Sequence, residues 1–338
     1  MKDMFEGKDI LVTGGCGSIG REIVKQLLKF NPIRVRVFDN NEDGHFRLNQ
    51  EVKSSAIRNL IGDIRDRERV RRAMRGVDIV FHAAALKHVP FCEYNPFEAV
   101  NTNVIGTKNL VDAAISENIE RFIGISTDKA VNPINTMGAT KLLSEKIITN
   151  APVGVSKTVF CCVRFGNVLN SNGSVIPIFK KQIKEGGPIT ITSDKMTRFF
   201  MDMPEAVNLV LKAAEQAQRG ATFIFKMKTI KITDLAEVMV EEMAPKYGHK
   251  AKDIKFETIG VRPGEKISEA LMTKEELDFV TELDDMFILY NSILSGYGKG
   301  KKLKRKTDLD HHDYDTGFQP LLDKKEIKKI LYEKKIIP

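Results

Sequence analysis

An acid and a lysine stand side by side in the run Ser126-Thr127-Asp128-Lys129, directly after the apolar segment 121–125. A carboxyl and an amine in contact can serve one substrate as general acid and general base, when their surroundings set opposite protonation roles. The alternative is an ordinary surface ion pair. The apolar segment predicts a strand, and ligands of α/β proteins bind at the carboxyl ends of such strands. We therefore interpret Asp128 and Lys129 as catalytic, with Thr127 as a proton relay.

A second lysine, Lys141, follows Met137 by four residues. This spacing places both side chains on one face of a helix. Lys141 is a candidate for proton transfer, whereas methionine cannot ionise and offers only an apolar wall. We interpret Met137 as a packed residue within the catalytic region. The proton acceptor beside it is left open between Lys141 and a relay through Ser126 or Thr127.

A glycine-rich turn near the N-terminus predicts a dinucleotide site. It lies between an apolar strand at 9–13 and a helical pattern at 21–30. Small residues there let the backbone approach a pyrophosphate, whose charge sits at the positive end of the helix. The predicted contacts in this turn are Gly14, Gly17, Ser18, Ile19 and Gly20.

The nature of the dinucleotide follows from Asp39. It ends the next predicted strand, about 20 residues after the glycines, where an acid binds the ribose hydroxyls of the adenosine. Its charge would repel a 2′-phosphate, and no arginine follows closely in the sequence. The predicted cofactor is therefore NAD and not NADP.

Further cofactor contacts are predicted after the later strands. An acid at the end of the third strand can meet the adenine amino group, and small side chains after the fourth leave room for the cofactor. These residues are Asp63, Ile64, Ala83, Ala84, Ala85 and Asn103, together with Lys141.

Strand and helix patterns alternate to about residue 157. This alternation predicts an α/β protein with a Rossmann-type, doubly wound parallel sheet. We predict an NAD-binding domain at 1–167 and a mainly substrate-binding lobe at 168–338. That smaller lobe is expected to be discontinuous, because some of its segments return to the sheet.

These motifs resemble those of the extended short-chain dehydrogenase/reductase family, and within it the nucleotide-sugar 4,6-dehydratases of polysaccharide biosynthesis. The most specific element is Ser-Thr-Asp-Lys-Ala-Val-Asn-Pro at 126–133, supported by 85–90 and 163–167. The family carries Tyr-x-x-x-Lys where this chain has Met137 and Lys141. Members with tyrosine there resemble the C5-inverting enzymes, and those with methionine look more like the C5-retaining ones.

The resemblance implies a lyase that acts on UDP-N-acetylglucosamine. Hydride would leave C4 of the sugar and return to C6, Lys129 would remove the C5 proton, and Asp128 would protonate the departing C6 hydroxyl. The product is a 4-keto-6-deoxy sugar, with retention at C5 favoured over inversion. Two alternatives stay open: a nucleotide-sugar 4-epimerase or related oxidoreductase, and a non-catalytic NAD-binding regulator suggested by Met137.

The substrate contacts are likewise implied by the resemblance. The guanidinium of arginine can form bidentate hydrogen bonds with a diphosphate, and a carboxylate can bind the uridine ribose. The residues at the matching positions are Lys87, Asn167, Arg198, Arg262 and Glu265.

The charge pattern and the cysteine spacing argue against a nucleic-acid-binding protein and a metal-binding protein. The net charge is +8, with a dense basic run at 299–306. We interpret this run as a solvated loop and predict no nucleic-acid partner, because it lacks interleaved aromatics. The four cysteines show no metal-ligand spacing, so we predict reduced thiols and no metal.

No apolar run of about 18 residues is present, so we predict no membrane insertion. Relatives in the resembling group can carry an N-terminal membrane segment, and this chain begins shortly before its first strand. We therefore expect a short, cytoplasmic form. The resemblance also implies a homo-oligomer, formed through helices at 96–117 and 138–150.

Overall fold

The structure is a computed structural model that describes residues 1–151, 157–171, 173–291, 309 and 314–337. Its strands are numbered in chain order. They are β1 Asp9–Thr13, β2 Arg34–Asp39, β3 Ile57–Ile61, β4 Ile79–His82, β5 Arg121–Thr127, β6 Val159–Phe165, β7 Asn167–Val168, β8 Ile189–Ile191, β9 Thr197–Met201, β10 Thr222–Phe225, β11 Lys228–Lys231, β12 Phe256–Thr258, β13 Val280–Glu282 and β14 Met286–Leu289.

The main sheet in this part of the chain has nine strands in the order β3-β2-β1-β4-β5-β6-β10-β14-β13. All pairs from β3 to β10 are parallel, and β14 and β13 are antiparallel additions at one edge. The strand order reverses between β1 and β4, which is where ligands bind in doubly wound sheets. The predicted Rossmann-type fold is confirmed.

The helices are α1 Lys2–Phe5, α2 Ser18–Leu27, α3 Glu42–Glu51, α4 Arg67–Met74, α5 Val89–Tyr94, α6 Pro96–Ala99, α7 Gly106–Ser116, α8 Thr136–Thr149, α9 Val175–Lys184, α10 Met203–Glu215, α11 Ile232–Met243 and α12 Lys324–Glu333. A π-helical turn, Val100–Ile105, joins α6 to α7.

The core shows why the central strands carry continuous apolar runs. Along β1, Ile10 and Val12 pack on one face with α2, α3 and α10, while Leu11 packs on the other with α4, α7 and α8. Alternate side chains of a strand point to opposite faces, so a strand covered on both faces must be apolar throughout.

The smaller lobe is built from residues 167 onward. Strands β7, β9 and β11 form one sheet, and β8 pairs with β12. Helices α9, α11 and α12 pack with these strands around a second apolar cluster. Strands β10, β13 and β14 come from the same part of the sequence but lie in the main sheet. The division at residue 167 stays a prediction.

The basic run at 299–306 lies outside the described residues. Within the part of the chain that the structure describes, none of the helices is long and apolar enough to span a membrane.

Candidate active site

The glycine-rich turn joins β1 to α2 and lies against the end of β4. Gly14 has φ +66°, and a Cβ on it would stand 2.6 Å from the backbone nitrogen of Ala84. A Cβ on Gly20 would overlap the Gly14 carbonyl oxygen. Gly17 caps α2 and donates its N–H to the same oxygen at 3.0 Å, so α2 begins at Ser18. The turn therefore has no space for side chains at these positions, as a backbone cradle for phosphates requires.

Two acids lie at the carboxyl ends of neighbouring strands: Asp39 is the last residue of β2, and Asp63 follows β3. The Asp39 carboxylate accepts the backbone N–H groups of Cys16 and Asn41, each at 3.0 Å, and so anchors the glycine turn. Asp63 is engaged by the Arg65 guanidinium at 3.0 and 2.7 Å. That hydrogen-bonded ion pair lowers the pKa of Asp63. Both acids are thus held rigidly, and their contacts with adenosine stay predictions.

Ala83, Ala84 and Ala85 follow β4 and are half-buried. Asn103 lies in the π-helical turn, and its side-chain amide exchanges two hydrogen bonds with the Leu86 backbone, at 2.8 and 3.0 Å. It holds the segment after β4 in place. Ile64 is buried, and Ile19 packs on the core beside the glycine turn.

Strand β5 extends through Thr127, so the acid-lysine pair starts at its carboxyl end. Asp128 is fully buried. Its Oδ1 atom accepts hydrogen bonds from Thr127 Oγ1 at 2.9 Å and from Lys129 Nζ at 3.0 Å. Its Oδ2 atom is buried without a hydrogen-bond partner among the described residues. The pair is therefore a buried cluster with one acceptor oxygen unused.

The Lys129 ammonium has three oxygen atoms around it. Besides Asp128, these are Oε1 of Glu269 at 3.3 Å and Oδ1 of Asn167 at 3.4 Å. Burial works to lower the pKa of Lys129, but attraction to the carboxylates of Asp128 and Glu269 outweighs it. The pKa of Lys129 consequently lies above that of an ordinary lysine. The resting site holds a charged lysine, whereas the predicted base must be neutral.

Gly166 permits this arrangement between β6 and β7. A Cβ on it would stand 2.9 Å from Oδ2 of Asp128 and 2.6 Å from the Phe199 Cβ. Any larger residue would displace the acid or the neighbouring strand β9.

Helix α8 carries Met137 and Lys141, both buried. Met137 packs with Cys92 and Ala99, in agreement with its interpretation as a packed residue. Lys141 Nζ donates to the Ile125 carbonyl of β5 at 2.7 Å. Burial lowers the pKa of Lys141, which favours its neutral form. Lys141 thus has the charge behaviour expected of a proton acceptor, in contrast to Lys129.

Arg198, on β9, is buried. Its guanidinium donates to the carbonyls of Thr197, Ile267 and Lys266 at 2.7 to 3.0 Å. These bonds tie β9 to the segment before Glu269. The assignment of Arg198 as a diphosphate contact stays a prediction.

Arg262 and Glu265 lie in one loop, where the Glu265 carboxylate accepts the Arg262 backbone N–H at 3.2 Å. Arg262 and Lys87 are exposed. The structure leaves their substrate roles as predictions.

That loop is fastened to the segment after Lys129. Asn135 caps α8 through Gly138 and donates its side-chain amide to the Gly264 carbonyl at 2.7 Å. Lys266 Nζ donates to the Val131 carbonyl at 2.7 Å. The smaller lobe therefore contacts the segment after Lys129 directly.

His82 is buried between Thr13 and Thr107, with ring nitrogens 2.8 and 2.9 Å from their hydroxyl oxygens. Burial lowers its pKa to about 3, so the ring stays neutral. It acts as a structural bridge between β1, β4 and α7.

The described residues contain no group of side chains arranged to hold a metal ion. The four cysteines are buried thiols.

The sequence profile of a family described as "Polysaccharide biosynthesis protein" matches residues 10–291. The chain belongs to this family.

Three related proteins are similar to this chain over nearly its whole length. An "Uncharacterized membrane protein" of Methanocaldococcus jannaschii is 54% identical over 98% of both chains. A "UDP-N-acetylglucosamine 4,6-dehydratase (inverting)" of Campylobacter jejuni is 38% identical over 97% of this chain and 98% of its own. A "UDP-glucose 4-epimerase" of Rickettsia akari is 40% identical over 97% of this chain and 96% of its own.

Among solved structures, "Pen from Bacillus thuringiensis" is 43% identical with a TM-score of 0.91, covering 99% of both chains. A dTDP-glucose 4,6-dehydratase of Streptomyces venezuelae, with NAD and TYD bound, is 22% identical with a TM-score of 0.68. It covers 77% of this chain and 86% of its own, and it shows the shared fold alone.

The sequence motifs did not identify Glu269 as a site residue. It lies far from Lys129 in the sequence and outside the motifs that predict the site. The fold brings its Oε1 atom to 3.3 Å from Lys129 Nζ. The one available signal was its place four residues after Glu265, in the same segment as the predicted substrate contacts.

Proposed function

We propose that this member of the polysaccharide biosynthesis family is an NAD-dependent UDP-N-acetylglucosamine 4,6-dehydratase, a lyase. The observation that carries the proposal is the buried Asp128-Lys129 pair at the carboxyl end of β5, with 3.0 Å between carboxylate and ammonium. Elimination of water from C5 and C6 needs a base at C5 and an acid at the C6 hydroxyl. The relative named as a dehydratase supports the choice of sugar.

The cofactor assignment rests on the glycine turn and Asp39. Cβ atoms on Gly14 and Gly20 would overlap neighbouring backbone atoms, so glycine is needed for this tight turn at the N-terminus of α2, where a pyrophosphate would bind. Asp39 stands at the end of β2, where it would select ribose hydroxyls. NAD, when bound, supplies a hydride acceptor for C4 and a hydride donor for C6.

The chain's own residues handle the protons. Lys141, whose pKa is lowered by burial, is proposed to receive the C4 hydroxyl proton, directly or through Thr127. Asp128 is proposed to protonate the departing C6 hydroxyl with the proton released from the C4 hydroxyl, which reaches it through Thr127, whose hydroxyl donates to Asp128 Oδ1 at 2.9 Å. The Lys129 ammonium first gives a proton to a neighbouring group. The neutral amine then removes the C5 proton.

A 4-epimerase is the second candidate, because a relative of that name is 40% identical. An epimerase oxidises and reduces C4 and leaves C6 oxygenated. It has no elimination step, and therefore no need for an acid-base pair serving C5 and C6. The buried Asp128-Lys129 pair favours the dehydratase.

Incubation of the full chain with NAD and UDP-N-acetylglucosamine, followed by mass spectrometry, tests this proposal. Loss of one water from the sugar supports the dehydratase. An unchanged mass with a changed sugar supports the epimerase, and no conversion supports a non-catalytic role.

Lys129→Ala should abolish loss of water and incorporation of solvent deuterium at C5, while the affinity for NAD is retained. Lys181→Ala is a matched control, because Lys181 pairs with Glu185 on the exposed surface at the end of α9. Elimination at the normal rate in Lys129→Ala would contradict the assignment of the base.

We further propose retention at C5. Retention returns the proton to the face from which it left, so Lys129 can serve both steps, and Met137 provides no phenol as a second donor. The product ring should be xylo-configured by NMR. An arabino-configured product would overturn retention and leave the dehydratase assignment intact.

The proposed homo-oligomer also has structural support. Ile105 and Leu143 lie in the two helical regions predicted to pair, and their side chains are 46% and 51% exposed. Light scattering on the purified chain measures its mass in solution, and a monomer would contradict the prediction.

A further inference from the structure

Glu269 belongs to the smaller lobe, and its buried carboxylate lies beside Lys129, the proposed base. Its side chain is 2% exposed, and its Oε1 atom lies 3.3 Å from Lys129 Nζ. The backbone around it is fixed. Its N–H donates to Thr316 Oγ1 at 2.8 Å, and its carbonyl accepts the Thr316 N–H at 2.9 Å. These two bonds fix the backbone position from which the Glu269 side chain reaches Lys129.

The second oxygen of Glu269 is an unused acceptor. Oε2 is buried without a hydrogen-bond partner among the described residues, and Lys266 Nζ is 3.9 Å away. Buried polar atoms are nearly always hydrogen-bonded, so an exception calls for an explanation. A carboxyl group that gains and loses a proton during each reaction cycle provides one.

We propose that Glu269 accepts the proton of the Lys129 ammonium before Lys129 acts at C5, and returns it afterwards. This inference rests on the proposed dehydratase function. In the transfer one Nζ–H bond breaks and one O–H bond forms on the carboxylate. The freed lone pair of Nζ then takes the C5 proton. Because Glu269 acts through Lys129, it is a positioning residue.

Asp128 is less suited to this task. Asp128 already holds the proton that it receives through Thr127 and passes to the C6 hydroxyl, so its carboxyl cannot also take the Lys129 proton. The arrangement thus gives each carboxylate beside Lys129 a separate role.

The charges around Glu269 support a proton acceptor. Burial raises its pKa, and the negative charge of Asp128 adds to this effect. The cations Lys129, Arg198 and Lys266 work in the opposite direction. The net pKa lies above that of an ordinary glutamate, which brings it closer to that of the lysine and eases transfer between them.

The test is the pH dependence of kcat for loss of water, in the full chain with NAD and UDP-N-acetylglucosamine. In Glu269→Gln, Lys129 must release its proton to water. The neutral fraction of an amine falls about tenfold for each pH unit below its pKa. We expect kcat of this variant to fall below that of wild type by a factor that grows as the pH is lowered and reaches at least about tenfold near pH 6, with KM unchanged.

Glu269→Asp keeps a carboxyl group on a shorter side chain, and it should shift the acidic limb less than the glutamine variant does. Its shift also provides the test if Glu269→Gln fails to fold. Glu276→Gln is a matched control, because Glu276 is a largely buried carboxylate in the same part of the chain that pairs with Arg164. Its pH profile should follow wild type.

The possible outcomes are distinct. A pH profile for Glu269→Gln that coincides with wild type, or an equal loss of kcat at every pH, would overturn the role of Glu269 and leave the dehydratase standing. A wild-type enzyme that releases no water from the sugar would refute the proposed function, and the role of Glu269 with it.

Discussion

Replacing Arg164 with methionine should strongly destabilise the fold, because its guanidinium is the centre of a buried ion cluster. Arg164 is 2% exposed and donates five hydrogen bonds. Two go to Glu145 of α8 at 3.1 and 2.7 Å, and two go to Glu276 at 2.8 and 3.0 Å. The fifth goes to the Leu271 carbonyl at 2.9 Å. The guanidinium has five N–H donors, so all are used.

The magnitude follows from what the substitution leaves behind. Methionine fills much of the volume, but the carboxylates of Glu145 and Glu276 lose their shared cation. Their side chains are only 4% and 18% exposed, so water replaces little of the lost interaction. Removing one partner of a buried ion pair costs about 3–5 kcal/mol. We expect the free energy of unfolding to fall by this amount, a large share of a typical total of about 5–15 kcal/mol.

The assay is urea unfolding followed by circular dichroism, with wild type and variant at the same pH. Arg164→Lys is the matched control, since its three donors cannot replace five and its loss should be intermediate. Adding Glu145→Gln and Glu276→Gln to Arg164→Met should recover part of the loss, because no unpaired charge then remains buried. A loss below about 1 kcal/mol in Arg164→Met would refute the reasoning.

The difference in unfolding free energy between wild type and Arg164→Met should also depend on pH. Burial alone would raise the pKa of Glu276, but Arg164 outweighs it and lowers that pKa. A carboxyl group with a depressed pKa contributes stability above its unfolded pKa of about 4.5, and this contribution disappears as the pH falls through the folded value. The difference between wild type and Arg164→Met should therefore shrink below about pH 4.5.

Three other substitutions test the cofactor, the substrate and the core. Asp39→Ala should weaken NAD binding about tenfold by calorimetry and relax discrimination against NADP, because the repelling carboxylate is gone; a wild type that prefers NADP would show the cofactor assignment to be wrong. Arg262→Ala should raise KM for the UDP-sugar at least about tenfold with little change in kcat, through loss of a charge-assisted contact; an unchanged KM would place Arg262 outside the site. The pKa of His82 is about 3, against 6.5 for a free histidine, so the unfolded chain binds more protons below pH 6.5 and wild type loses stability as the pH falls from there toward 3. At pH 5 this term is about 2 kcal/mol, and it should be missing from the pH dependence of His82→Gln in urea unfolding.

The local patterns of the sequence predicted the cofactor side of the fold. The strand ending at Thr13, the glycine turn and Asp39 follow one another within a short stretch, and local steric rules govern such turns. The apolar residues of α10 and α11 recur with helical spacing in the sequence and are buried in the structure. These helices have one apolar face, so their periodicity is a reliable signal.

The protonation of the site could not be predicted in the same way. Asp128 and Lys129 are adjacent in sequence, which predicts their pairing, and the predicted role of Lys129 as a base requires its neutral form. The structure adds Glu269, and the second carboxylate raises the pKa of Lys129. A pKa depends on every charge within a few ångströms, and the fold alone decides which distant residues come that close.

The sequence by itself determined the Rossmann-type fold, the dinucleotide turn and the acid-lysine pair, because each depends on spacing within a few residues or on a repeated period. Only the tertiary structure decided that Glu269 meets Lys129 and that Arg164 joins α8 to Glu276. Both contacts span more than a hundred residues of sequence. No local pattern encodes which of the many charged side chains will be buried together, since that choice follows from how the smaller lobe packs against the sheet.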